Sequence, residues 1–253
     1  MKNKSVKVIL LLVIMSLFTF IIFSHISFGN NNITKGVKKE EKITRGIPKN
    51  TNKVVTSKKK ESTISELKNY YNNSDIIARL VIDDLDIDEI ITKTSNNTFY
   101  LDHDLSKDYN ELGTPYIDYR NDDALENETQ INIYGHNTSN YEYKDNLSFS
   151  KLENYMNEEN FDNSNIIKLI TDNNVIKYEV VAIKVITDDD NEHTVLYSSD
   201  KEKWKSHLNK LLSNTTYCKD ECSLTTLDKL LILQTCNYNP IDSYILLIAK
   251  KIN

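Results

Sequence analysis

The chain has 253 residues, 39% of them hydrophobic and 27% charged, with a formal net charge of −6. That length and apolar content suffice for one sizeable core, a domain of about 190 residues once an N-terminal segment is set aside. The acidic balance argues against a nucleic-acid binder, which needs a concentrated basic surface.

From the N-terminus, Lys2, Lys4 and Lys7 precede a run from Val8 to Phe23 that is apolar except for Ser16 and Thr19 and continues through Ile26 to Phe28. Its length of about 20 residues spans a bilayer. A positive tail ahead of such a run suits a secretory signal or an uncleaved anchor. No small-x-small cleavage site follows, so residues 1–28 are read as an anchor. Lys35, Lys38, Lys39, Lys42 and Arg45 beyond the span weaken the charge asymmetry that would orient it. Residues 29–61 are polar, lysine-rich and without apolar period, and read as a solvated linker ahead of a domain at 62–253.

Thr63 and Glu66 have capping-box spacing, and Ile64, Leu67 and Tyr71 fall on one face, so a helix is expected there. Ile76–Ile82 and Asp86–Ile91 read as short strands. The acidic run Asp83, Asp84, Asp86 and Asp88 between them lacks the glycine and spacing of a calcium loop and reads as a solvated face, as does Asp188, Asp189 and Asp190. Further on, Phe149, Leu152 and Tyr155 predict a short helix over Leu147–Tyr155. Ile166–Thr171 and Val175–Val185 read as strands turned at Asn173-Asn174. After Ser199, a capping position, Trp204, Leu208, Leu211 and Leu212 predict an amphipathic helix over Asp200–Leu212 with those residues in the core. Cys218 and Cys222 leave two readings open, a disulfide and unpaired thiols; a zinc site would need two further ligands. His25, His103, His193 and His207 fall at the membrane edge, a turn, a loop and a helix surface. No metal and no cofactor are expected.

Two stretches point to chemistry. Leu231-Ile232-Leu233-Gln234-Thr235-Cys236 is an apolar run ending in a thiol before the turn residues Asn237-Tyr238-Asn239-Pro240. Taken alone, Cys236 is either a small buried hydrophobe or a nucleophile held at a strand edge. Ile131-Asn132-Ile133-Tyr134-Gly135-His136 alternates and then breaks at glycine, which puts an imidazole at a second strand end. A hundred positions separate the two, as suits a site assembled by folding.

With Gly113-Thr114-Pro115-Tyr116-Ile117-Asp118-Tyr119-Arg120-Asn121 ahead of them and Ala249-Lys250 behind, these blocks resemble those of the sortases, class B among them, from about Ile64 to the C-terminus. The resemblance implies a mainly β fold: an eight-stranded sortase-type β-barrel with an N-terminal helix and a helix inserted before the cysteine-bearing strand. It implies a membrane-anchored cysteine transpeptidase, single-pass in the cell membrane with its catalytic domain outside. Such an enzyme cleaves a C-terminal sorting motif of surface proteins through a thioester at Cys236, with His136 moving the proton, and passes the acyl group to the amine of a cell-wall precursor peptide. Gln234 and Thr235, beside the nucleophile, are expected to contact substrate. One element departs from the family. Its arginine, five residues before the Ala-Lys pair, falls here on Tyr244, and the chain's only arginines are Arg45, Arg79 and Arg120. Tyr244 is therefore a candidate catalytic donor, and a weakly active or inactive domain that binds sorting motifs or wall components is the alternative.

Overall fold

Alternation decides where each strand turns its side chains. In the computed structural model, which describes residues 62–139, 148–164, 166–187, 199–219 and 223–252, nine strands join in one sheet. They are β1 (Ile76–Ile82), β2 (Ile87–Thr92), β3 (Tyr116–Ile117), β4 (Gln130–Tyr134), β5 (Ile167–Ile170), β6 (Val175–Thr187), β7 (Tyr217–Cys218), β8 (Leu230–Asn237) and β9 (Ser243–Ile252). Their order is β5-β1-β2-β3-β4-β8-β9-β6-β7, and a further pairing of β5 with β6 closes eight of them into a barrel, leaving β7 as an outer edge on β6. This is the mainly β barrel that the strand pattern and the resemblance led one to expect. Two neighbours run parallel, β2 with β3 and β4 with β8.

The barrel interior takes Ile131 and Ile133 from β4, Leu231 and Leu233 from β8, and Ile245, Leu247 and Ala249 from β9. The alternate residues Leu230, Ile232, Leu246 and Ile248 face outward, where helix α3 (Lys201–Leu212) covers them with Trp204, Leu208 and Leu211. A strand buried on both faces reads as an unbroken apolar run, which is why Leu230 to Leu233 show no alternation. The α3 helix is capped by Asp200, whose carboxylate accepts from the Glu202 and Lys203 amides, rather than at Ser199. Helix α1 (Ile64–Tyr71) carries the expected capping box between Thr63 and Glu66 and packs Ile64 and Leu67 on Ile76 and Ile90. The segment Ser148–Met156 is a 3₁₀ helix rather than an α-helix. Its buried Phe149, Leu152 and Tyr155 recur every three residues, the period at which 3₁₀ side chains eclipse. A short α2 (Glu158–Asp162) follows.

Two further expectations change. His207 lies inward on α3, only 7% exposed, and its Nε2 meets Gln130 Oε1 at 3.0 Å. The acidic run is the solvated face expected, with Asp83, Asp84 and Asp86 exposed, and it is also paired: Asp83 takes Lys168, Asp86 Lys151, Asp88 Arg79, and Asp84 the Tyr155 hydroxyl. The expected single-pass membrane localisation is corrected as well, because among the described residues no helix is long and apolar enough to cross a membrane. The longest, α3, has 12 residues, which rise about 18 Å against a hydrocarbon core of roughly 30 Å. Residues 1–28, to which the span was assigned, lie outside the described residues, as do the 29–61 linker, His25, His193 and Asp188–Asp190.

Candidate active site

Parallel pairing of β4 with β8 sets the site. Tyr134 registers with Gln234, so the next outward positions, His136 and Cys236, fall side by side just past the paired strands. Four hydrogen bonds hold the two chain segments there. The Gly135 amide donates to the Gln234 carbonyl at 3.1 Å, the Thr235 hydroxyl to the Gly135 carbonyl at 2.8 Å, the Asn137 side-chain amide to the Cys236 carbonyl at 2.9 Å, and the Tyr238 hydroxyl to the Asn137 carbonyl at 2.6 Å. Gly135 is needed for packing, since a Cβ there would come within 2.4 Å of the buried Phe149 ring.

The space above these residues is a cavity of about 110 Å³ lined by Leu101, Thr114, Tyr116, Tyr134, Gly135, His136, Gln234, Thr235, Cys236 and Tyr244. It brings together the nucleophile candidate, the imidazole, and both neighbours expected to contact substrate. Cys236 is half-buried and outside any disulfide. His136 Nε2 lies 2.7 Å from the Leu101 carbonyl, a contact in which that nitrogen carries the proton and donates. The carbonyl is placed by Gly113, at φ +56°, where any Cβ would strike the Tyr100 and Leu101 backbone. Thr235 is buried with its hydroxyl committed to Gly135, so it latches the two strands. Gln234 is 8% exposed, and its Oε1 has no hydrogen-bond partner among the described residues.

Tyr244 pairs with Cys236 across the β8–β9 ladder. It packs against the α3-covered face that holds Leu246 and Ile248 while also lining the cavity. Among the lining residues His136 is the only side chain able to carry positive charge. Arg120 is committed elsewhere: it grips the fully buried Asp118 through Nε at 2.8 Å and Nη2 at 2.7 Å. Burial pushes the Asp118 carboxyl up, but the bonds from the Arg120 side chain and amide, from Tyr134 and from Asn97 outweigh it and hold the group down at about 2. Burial, with the Asp118 charge second, raises the Tyr134 hydroxyl well above its usual range and keeps it a neutral donor. Cys218 is disulfide-bonded; Cys222 lies outside the described residues.

Sequence reasoning did not single out Tyr116, Asn137, Tyr238 or the Leu101 carbonyl. Asn137 and Tyr238 adjoin the two functional strand ends, and that adjacency was the available signal. Leu101 is 35 residues from His136, and nothing local announces the contact.

No protein-family model matches the chain. It is 24% identical over 190 residues to sortase B of Staphylococcus aureus, covering 70% of each. The X-ray structure of Clostridium perfringens sortase B superposes with a TM-score of 0.66 at 25% identity, over 75% of this chain and 99% of that one. A Staphylococcus aureus sortase B-substrate complex superposes equally well, with a TM-score of 0.66 over 79% of this chain and 91% of that one at 21% identity, and so speaks to the fold.

Proposed function

Because the chain belongs to the class B sortases, cysteine transpeptidases by activity, we propose that Cys236 is its nucleophile and His136 its proton carrier in cleaving a C-terminal sorting motif and transferring the acyl group to a cell-wall peptide amine. The Cys236 thiolate adds to the scissile carbonyl, whose electrons move onto oxygen. Collapse of that oxyanion forms the thioester and breaks the C–N bond, and the departing amine takes a proton from His136. In the second half an acceptor amine attacks the thioester, His136 removes its proton, and Cys236 leaves as thiolate. The carboxamide Nδ2 of Asn137 and the hydroxyls of Thr235 and Tyr238 keep the two strand ends in register throughout.

The oxyanion needs a donor, and Tyr244 stands across the ladder from Cys236. Directly paired residues in an antiparallel ladder have Cβ atoms about 4.5–5.5 Å apart, close enough for a tyrosine hydroxyl to serve an atom bonded to the thiol. The observation that carries this reading is that His136 and Cys236 line one cavity on one face of the barrel.

Intact-mass measurement after incubation with a panel of sorting-motif peptides tests it. The expected result is an acyl adduct on Cys236 that hydroxylamine removes, absent in Cys236→Ala and strongly slowed in His136→Ala. A wild-type chain that captures peptides without ever forming an adduct would instead be a binding domain of sortase fold.

A further inference from the structure

Two polar groups in the cavity have no use in the chemistry just described. The first is Gln234 Oε1, buried and without a partner among the described residues. The second is the hydroxyl of Tyr116, a residue also 8% exposed, to which no hydrogen bond is made among the described residues. Register places them. Tyr116 pairs with Tyr134 across β3–β4, and Tyr134 with Gln234 across β4–β8, so the three share one outward row with Tyr134 in the middle. Tyr134 is already spent, since its hydroxyl donates to Asp118 at 2.8 Å. The Tyr116 hydroxyl and Gln234 Oε1 make no bond to each other either. Burial raises the Tyr116 hydroxyl well above its usual range, followed by the charges of Asp118 and Cys236, so it is a neutral O–H within the field of the thiol.

A buried acceptor without a partner, as at Gln234 Oε1, is uncommon in folded proteins and a standing cost to them. Tyr116, on the same cavity, offers a donor. The two flank a slot otherwise made of Leu101, Gly135 and tyrosine ring surface.

We propose that Tyr116 and Gln234 form an amide-recognition subsite beside Cys236, the Tyr116 hydroxyl donating to the amide oxygen of the acyl donor and Gln234 Oε1 accepting from its N–H. The assignment rests on the transpeptidase reading for the identity of the ligand as an acyl donor. The subsite geometry stands apart from turnover. A ketone or ester of the same shape fills the slot but leaves Gln234 unpaired, and a hydrocarbon leaves both unpaired. Discrimination then comes from the penalty for the wrong group as much as from attraction to the right one.

The test uses small thiol reagents, so that it needs neither a known sorting motif nor a complete reaction. Iodoacetamide carries a carboxamide to Cys236, whereas iodoacetone presents a methyl where the amide has NH₂. Alkylation rates at Cys236 are read by peptide mapping for both reagents and normalised to N-acetylcysteine. The wild-type chain is expected to favour iodoacetamide by about tenfold. Gln234→Leu is expected to lower that preference about three- to tenfold, as loss of one neutral hydrogen bond does, and Tyr116→Phe, which loses a bond to the carbonyl that both reagents carry, is expected to slow both about three- to tenfold and keep their ratio, with thermal unfolding confirming that each variant is folded. A wild-type ratio equal to that of N-acetylcysteine, a preference retained in Gln234→Leu, rates unchanged in Tyr116→Phe, or no labelling of native Cys236 overturns the subsite. Peptide acylation on the same samples separates the two readings. An amide preference without acylation leaves the subsite standing and removes the transpeptidase, and acylation without the preference does the reverse.

Discussion

Tyr244 is the residue at which this chain departs from the sortases it resembles, and the structure puts it on the face of β9 that lines the cavity beside Cys236. A phenol offers one neutral hydrogen bond where a guanidinium offers a charged fork, and charge-assisted bonds are about twice as strong. Removing Tyr244's hydroxyl in Tyr244→Phe is expected to slow acyl-adduct formation about tenfold or more, and Tyr244→Arg to match or exceed the parent. Time-resolved intact mass decides, and an unchanged rate in Tyr244→Phe would show the hydroxyl idle. Gly135 gives a second test at this scale. In Gly135→Ala the new methyl must displace the buried Phe149 ring, carrying the His136 peptide away from Cys236. Adduct formation should fall at least tenfold, and melting should fall by several degrees. A fully active, equally stable Gly135→Ala would mean that the loop absorbs the methyl without moving the imidazole. Cys236 and His136 were legible in the sequence because each ends an apolar strand and is followed by turn residues. Tyr116 and Gln234 were not legible as a pair, because their relation depends on two strand registers, one of them parallel, that no local pattern encodes.

Among the elements, α3 shows what pattern reading captures and what it drops. Counting apolar residues found Trp204, Leu208 and Leu211 and passed over His207, although its spacing of three from Trp204 puts it on the same face. Its partner explains the burial. Gln130 Oε1 accepts from His207, Gln130 Nε2 donates to Asn132, and Asn121 bonds both the Gln130 carbonyl and the Asn132 amide. This buried network ties α3 to β4 and to the segment after β3. Burial, with Lys210 adding repulsion, lowers the His207 imidazole from 6.5 to about 4. The ring is therefore neutral in the fold at pH 7, and unfolding lets it bind a proton at any pH below about 6.5. Stability must fall as pH drops from about 6.5 towards 4 and level off below. The loss between pH 7 and pH 5 is on the order of 1–2 kcal/mol. Denaturant titrations of the parent and His207→Gln, which keeps a donor for Gln130, measure it. The substituted chain should lose most of that slope, and identical slopes would place the pH dependence elsewhere.

At the scale of the whole molecule, the site exists because the barrel closes. Residues of β4 and β8 meet only after a hundred positions of chain, including β5, β6 and α3, have folded between them. Long-range parallel pairing of this kind costs loop entropy before any contact repays it. The sequence announced β8 as a strand buried on both faces but could not say what buried it. The barrel interior answers for Leu231 and Leu233 and α3 for Leu230 and Ile232. Ile232 and Leu233 are thus neighbours in sequence on opposite sides of one wall, which permits a direct test of whether barrel and helix form one cooperative unit. Ile232→Ala opens a cavity under α3, and Leu233→Ala opens one inside the barrel. Each should cost about 2–5 kcal/mol, because both sites are closely packed and collapse poorly. Trp204, the chain's single tryptophan, is buried on the α3 side, so its fluorescence reports helix docking while far-UV circular dichroism reports the sheet. If the wall shared by both cores couples them, the two signals lose their native values at one denaturant midpoint in both variants, and that midpoint falls by similar amounts. A tryptophan transition ahead of the circular dichroism change in Ile232→Ala alone would show α3 undocking from an intact barrel. The closed barrel would then hold His136 and Cys236 together without its helical cover, and peptide-adduct formation in that variant should persist up to the second transition.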